Sequence, residues 1–121
     1  WDISRKHAVV TTGVADELRA LGPLGEFAIS IQGTVAAFCA TETKLDGFDF
    51  PDPITLAYAI DPAVATETRR LHVAVETESE LTRGTVVMDV LGLTHHEPNA
   101  LVVTAADDAR FLAILRAALT P

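Results

Sequence analysis

Near residue 61 the spacing of apolar residues changes, and this change limits the fold more than any other feature of the chain. Ahead of it, Phe27, Ile31, Val35 and Phe38 recur at the spacing of one helical face, and Ile54, Leu56, Ala57, Tyr58 and Ile60 form a second helical run. Beyond it, Leu71, Val73 and Val75 alternate with His72, Ala74 and Glu76, which is the two-residue period of a strand. Both periods within 121 residues mean a mixed α/β structure, and the length fits one domain.

The signals around these runs give an order of elements. Residues 1–12 read as a loop or strand end. Thr11 or Thr12 caps a short helix, with Asp16 and Glu17 in its first turn and Gly22-Pro23 stopping it. The Phe27 to Phe38 spacing predicts a second helix, weakened by Gly33. "LDGFDFPD" is a loop. A third helix runs from about Pro53 to Ile60 and closes at Asp61-Pro62. "LHVAVETE" and "TVVMDV" form an antiparallel hairpin turned at Gly84, and "NALVVTA" is a third strand. "TAADDARFLAILRAAL" is the clearest helix. Thr104 caps it, Asp107 completes a capping box, and Phe111, Ile114, Leu115 and Ala118 form its buried stripe. Three strands leave sheet edges unpaired, so more sheet is expected than the chain supplies. The start at Trp1, with Met88 the sole methionine, reads like a chain entered midway.

The totals exclude several functions. A net charge of −8 offers no basic surface to neutralise phosphates, so neither a nucleic-acid polymer nor an anionic membrane is an expected partner. The longest apolar region, Phe27 to Ala40, is too short and too interrupted to span a bilayer. The single cysteine, Cys39, allows no internal disulfide and fits a reducing, cytoplasmic setting.

Most chemistry-bearing residues have a structural explanation. His95-His96-Glu97 lacks a second Cys or His cluster that would complete a metal site. Asp107 and Asp108 suit a helix first turn, Glu76, Glu78 and Glu80 suit a solvated hairpin face, Arg83 suits a turn ion pair, and Cys39 suits a core. Asp52 is different. It stands between Pro51 and Pro53 after the aromatic pair Phe48 and Phe50, and two readings stay open. Its carboxylate can cap the third helix, or it can be a rigidly aimed ligand.

"FPDPITLAYAIDPAV" followed by "LHVAVETESELTRGTVVMDV" resembles the C-terminal part of the inosine-uridine type nucleoside hydrolases. In that family a His-Asp-Pro segment opens a helix ending in Asp-Pro. A hairpin of the form Val-Glu-Thr, Thr-Arg-Gly and Val-Val-Asp follows. The matching residues here are Val75-Glu76-Thr77, Thr82-Arg83-Gly84 and Val86-Val87, with Met88 inserted before Asp89. "WDISRKHAVVT" and "NALVVTAADDARFLAIL" fit the flanking segments, so the likeness covers nearly the whole chain.

The resemblance implies an α/β fold: the C-terminal portion of a mostly parallel sheet with flanking helices and a β-hairpin, as a single partial domain over residues 1–121. It implies hydrolysis of a ribonucleoside to free base and ribose, with Ca²⁺ as cofactor and Asp52 as one of its ligands. Phe48 and Phe50 would line the base side of the pocket. Two departures stand out. Pro51 occupies the position of the family's histidine, and the family's N-terminal Asp-x-Asp-x-Gly-x-Asp-Asp cluster has no counterpart. No catalytic residue is therefore expected within these residues. The expected partners are the nucleoside, a missing N-terminal portion or a second chain, and further copies in a homo-oligomer. The alternative reading is a non-catalytic truncated module for binding or dimerisation.

Overall fold

A computed structural model of the protein describes residues 1–120. Its elements run α1 (Asp2–His7), β1 (Val9–Val10), α2 (Thr12–Arg19), α3 (Pro23–Ser30), α4 (Gly33–Phe38), a π turn (Cys39–Thr43), β2 (Phe48–Asp49) and α5 (Pro51–Ile60). A 3₁₀ turn (Pro62–Val64), β3 (Ala65–Leu71), β4 (Val73–Val75), β5 (Val86–Met88), β6 (Ala100–Ala106) and α6 (Asp108–Leu119) complete it. The mixed α/β class holds. Strand pairs are β1 with β2, β3 with β6 and β4 with β5. The ladders β1–β2 and β4–β5 are both antiparallel.

The chain divides into two compact units, residues 1–66 with 105–121 and residues 67–104. The first unit holds the hydrophobic core, in which Val10, Leu18, Ile29, Val64 and Phe111 are fully buried. Residues 1–12, expected to be a loop or strand end, contribute the helix α1 and the short strand β1 to it. Thr11 caps α2 through Val14 N–H as predicted, but α2 starts at Thr12 and so places Asp16 and Glu17 beyond its first turn. α6 is capped by Asp107, whose carboxylate accepts from Arg110 N–H, while Thr104 lies in β6. The preceding strand continues two residues farther than the capping-box pattern suggested, and the next acidic residue takes over the cap. Phe111 is buried and Ile114 and Leu115 pack on the core, whereas Ala118 is exposed. Arg110 also reaches Asp61 at 2.5 Å, joining the end of α5 to the start of α6 and holding the Asp61 carboxyl below its ordinary pKa.

The region read as one long helix is two. α3 and α4 break at Ile31-Gln32 and bend by 49°. The predicted stripe faces outward: Phe27 is 62% exposed, Ile31 59% and Phe38 57%. The buried face carries Gly25 and Ile29 instead. A Cβ on Gly25 would stand 2.1 Å from the Leu18 carbonyl oxygen, so only glycine lets α3 approach α2 this closely. The close approach fixes the helix by its small residues and turns the large ones out. Among the described residues no single helix is long and apolar enough to cross a membrane.

The second unit contains the predicted hairpin, with Val73 opposite Met88 and Val75 opposite Val86. The ATETRRL segment ahead of it forms β3, which sequence patterning left unassigned. Leu71 is the one buried side chain of this unit among the described residues, so polar contacts supply much of its order. Asn99 exchanges two hydrogen bonds with the Val73 backbone, at 2.8 and 2.9 Å. The Glu76 carboxylate accepts from the Ser79 and Glu78 amides, which lowers its pKa. Asp89 accepts from the hydroxyl and amide of Thr94 and the amide of Leu93, and its carboxyl is held at about 2 against an ordinary 3.8.

A depressed carboxyl pKa stabilises the fold above the unfolded value and loses that contribution as pH falls toward the folded one. The Asp89 loop should therefore be intact at pH 5 and open as pH drops from about 4 to 2. Amide shifts of Leu93 and Thr94, followed by NMR, are expected to titrate with a midpoint near 2 and not near 3.8. In Asp89→Asn that titration should vanish.

Candidate functional site

The Phe48–Pro53 segment is built from below. β2 pairs with β1 through Val9 opposite Asp49 and Val10 opposite Phe48, and Phe50 N–H donates to the Ala8 carbonyl at 3.0 Å. The alternation of Phe48-Asp49-Phe50 sends the aromatic rings one way and the carboxylate the other. Phe48 and Phe50 pack edge to face with centroids 5.0 Å apart, and both are buried. Asp49 is buried too, and accepts the Ser4 hydroxyl of α1 at 2.6 Å. Gly47 precedes them at φ 93°, pressed so close to β1 that a Cβ would lie 1.9 Å from the Val10 carbonyl oxygen.

On this base α5 begins at Pro51, two residues earlier than its sequence signals suggested, with Phe50 in the N-cap position. Asp52 is thus not the cap. The expectation rested on Pro53 as the first helical residue, with the carboxylate of Asp52 before it to accept from first-turn amides. In a first turn the amides lack helical partners in any case, so Pro51 and Pro53 are both tolerated and Asp52 is carried into the helix as its second residue. There it is exposed and has no hydrogen-bond partner among the described residues. The helix dipole favours its charge at this position.

Asp52 borders two cavities of the first unit. One, of about 450 Å³, is also lined by Asp49, Arg5, Phe50, Phe38 and Cys39. The other, about 380 Å³ and almost wholly apolar, lies between α5 and α6 and is lined by Leu56, Ile60, Ile114 and Leu115. Of the two phenylalanines expected to line a pocket, Phe50 lines the first cavity, while Phe48 sits in the core at 2% exposure. Arg5 and Asp49 were not singled out from sequence. The signal for Asp49 was there, in a carboxylate alternating with two aromatics. Arg5 carried none, because its place in the cavity comes from packing distant in sequence.

In chemical terms the cavity presents one free carboxylate, one carboxylate engaged by Ser4, one guanidinium and an aromatic wall. A carboxylate with both oxygens unengaged suits a hard cation or a substrate hydroxyl. Pro51 beside it has no proton to give. Among the described residues no three His, Cys, Asp or Glu side chains converge on a metal position. His95-His96-Glu97 belongs to the loop packing of the second unit, where His96 stacks on His72 at 4.7 Å and the His72 Nδ1 bonds the Glu97 carbonyl. Cys39 is buried and forms part of the cavity wall.

A model of the inosine-uridine preferring nucleoside hydrolase family matches residues 1–113. The chain belongs to that family. It is 36% identical over 70 residues to a pyrimidine-specific ribonucleoside hydrolase of Klebsiella pneumoniae subsp. pneumoniae, and 36% identical over 69 residues to one of Salmonella gallinarum. These matches cover 58% and 57% of this chain and 22% of each relative. Among solved structures it is similar to an inosine-guanosine nucleoside hydrolase (25% identity, TM-score 0.78, 96% of this chain and 36% of that one). It is also similar to a purine-preferring ribonucleoside hydrolase from Gardnerella vaginalis (26% identity, TM-score 0.75, 98% and 37%). This chain thus spans far less than two thirds of the length of the nucleoside hydrolases it matches.

Gly47 is the backbone contact that seats β2 on β1. Gly47→Ala is expected to cost about 2–3 kcal/mol, because alanine meets both an unfavourable positive φ and the Val10 carbonyl. A urea melt would show it as a lowered midpoint.

Proposed function

We propose that these residues form one part of a ribonucleoside hydrolase active site, cleaving the N-glycosidic bond to free base and ribose, the other part coming from residues outside this chain. Family membership supports the reaction class, and the free carboxylate of Asp52 at the cavity edge is the observation that carries the site. Pyrimidine-specific, inosine-guanosine and purine-preferring enzymes all occur among the relatives, so the substrate is proposed at the level of a ribonucleoside.

In this reading Asp52 contributes one ligand to a Ca²⁺ ion, and its place in the cavity suits that donor chemistry. Ca²⁺ takes about 6–8 oxygens, so one free carboxylate supports a share in a site and not a whole one. Bound calcium would supply charge for orienting and acidifying a water and holding ribose hydroxyls. The remaining roles belong to the chain itself. Pro51 and Pro53 limit backbone motion on either side of Asp52 and so keep its carboxylate aimed. Phe50 and Phe38 give the cavity an apolar wall that sheds water and suits the flat face of a base. Cleavage passes through an oxocarbenium-like state, and the departing base needs a proton. Pro51 cannot donate it, so that acid lies elsewhere or the base leaves with less help. A protonated base would be the easier leaving group.

Two outcomes test this. In a polypeptide that carries both parts of the site, Asp52→Asn should weaken calcium binding and nucleosidase activity together, read by calorimetric titration and product assay. Its stability should shift by no more than about 0.5 kcal/mol, since Asp52 is exposed and is not the cap. Unchanged calcium affinity would remove Asp52 from the site. Pro51→His should raise the rate on nucleosides with poor leaving bases by ~10²–10⁴-fold and leave an activated nucleoside nearly unaffected. Equal gains on both would exclude proton donation at this position.

A further inference from the structure

Asp46 and Gly47 form the one Asp-Gly pair of the chain, in the bend that delivers β2 to β1. Every other aspartate is followed by a residue that carries a side chain. An aspartyl carboxyl and the amide nitrogen of the next residue lie close enough to close a five-membered ring, and a glycine there leaves the nitrogen open to approach. Asp46 is exposed, and among the described residues the Gly47 amide donates to no acceptor. One contact opposes the closure. The Thr12 hydroxyl, at the start of α2, donates to Asp46 Oδ1 at 2.8 Å and holds the carboxylate toward α2.

We propose that Asp46-Gly47 is a modification site, at which the folded chain isomerises spontaneously to isoaspartate at a rate restrained by Thr12. The Gly47 nitrogen bonds to Asp46 Cγ and gives up its proton, and one carboxyl oxygen leaves as water, which yields a cyclic imide. Water then adds back. Opening at the Cγ carbonyl restores aspartate, and opening at the main-chain carbonyl gives an isoaspartyl link that runs through the side-chain carbon. Water is lost once and regained once, so the mass is unchanged and no other reactant is needed. The product has one more methylene in its main chain and a carboxylate directly on Cα. Gly47 has no room for that change, because an added carbon at its Cβ position already stands 1.9 Å from the Val10 carbonyl oxygen. The isomerised chain therefore cannot seat β2 on β1 in the same register. Since β2 leads into α5, the modification acts on the placement of Asp52 from a point six residues away. The chemistry of residues 46 and 47 stands apart from the functional reading above and does not depend on it.

The test ages the wild-type chain, Thr12→Ala and Thr12→Ser at neutral pH and physiological temperature. Isoaspartate is counted by methyl transfer from S-adenosylmethionine with a protein-isoaspartate methyltransferase, and located by electron-transfer fragmentation of peptides. In the folded wild type it should accumulate at residue 46 ahead of every other aspartate. Thr12→Ala frees the carboxylate and should isomerise about threefold faster or more, while Thr12→Ser keeps a hydroxyl and should stay near the wild-type rate. Thr12 is exposed, and alanine is the best helix former, so α2 should persist; a urea melt of each variant checks this. In unfolding urea, where the Thr12 contact is gone, all three should isomerise at one rate. No isoaspartate at residue 46 in the folded wild type would overturn the site. Equal folded rates for wild type and Thr12→Ala, a fast Thr12→Ser, or the same ranking in urea would overturn the restraint by Thr12. The isoaspartyl form, separated by ion exchange, should unfold at a lower urea midpoint than the unaged chain. An unchanged midpoint would overturn the effect on β2.

Discussion

The bond from Ser4 to Asp49 underlies everything near the candidate site. A buried carboxylate is costly unless its lone pairs are engaged, and Ser4 engages this one at 2.6 Å. That requirement ties α1 to β2. The β1–β2 ladder and the Phe50 amide tie the same two segments a second and third time. Because β2 leads into α5 with only Phe50 between them, the direction of α5 and the place of Asp52 follow from these ties. The first dozen residues, which carry little signal of their own, are therefore what aims the carboxylate.

The rest of the first unit shows a second constraint, in which backbone proximity overrides hydrophobicity. A helix usually buries its largest apolar side chains. α3 instead buries Gly25 and Ile29 because α2 approaches to a distance that admits no side chain at residue 25. Phe27 and Ile31 are left outside in consequence. The second unit reaches order by other means. With Leu71 as its buried side chain, it relies on Asn99, Glu76 and Asp89 bonding to backbone groups.

Elements whose signals are local were legible in the sequence. The β4–β5 hairpin was readable because alternation and a turn residue lie within about a dozen positions of each other. α6 was readable because its apolar spacing is regular, although its cap moved from Thr104 to Asp107. α1 and β3 were not readable. "DISRKH" has no helical apolar face, and "ATETRRL" is too charged to suggest a paired strand. Both are held by partners distant in sequence. Among the candidate site residues, Asp52 and Phe50 were legible because proline and aromatic residues mark them, whereas Arg5 and Asp49 join them only through packing.

By itself the sequence determined the α/β class, the hairpin, the last helix, the nucleoside hydrolase likeness and the candidacy of Asp52. Each of these depends on residues near one another in the chain, so period, turn chemistry and motif suffice. Only the tertiary structure decided that Asp52 lies inside α5 and not at its cap, that Phe48 is core while Phe50 borders a cavity, and that the α3–α4 stripe faces outward. Those outcomes depend on which surfaces meet, and a helix face or a strand side is buried or open according to what packs against it.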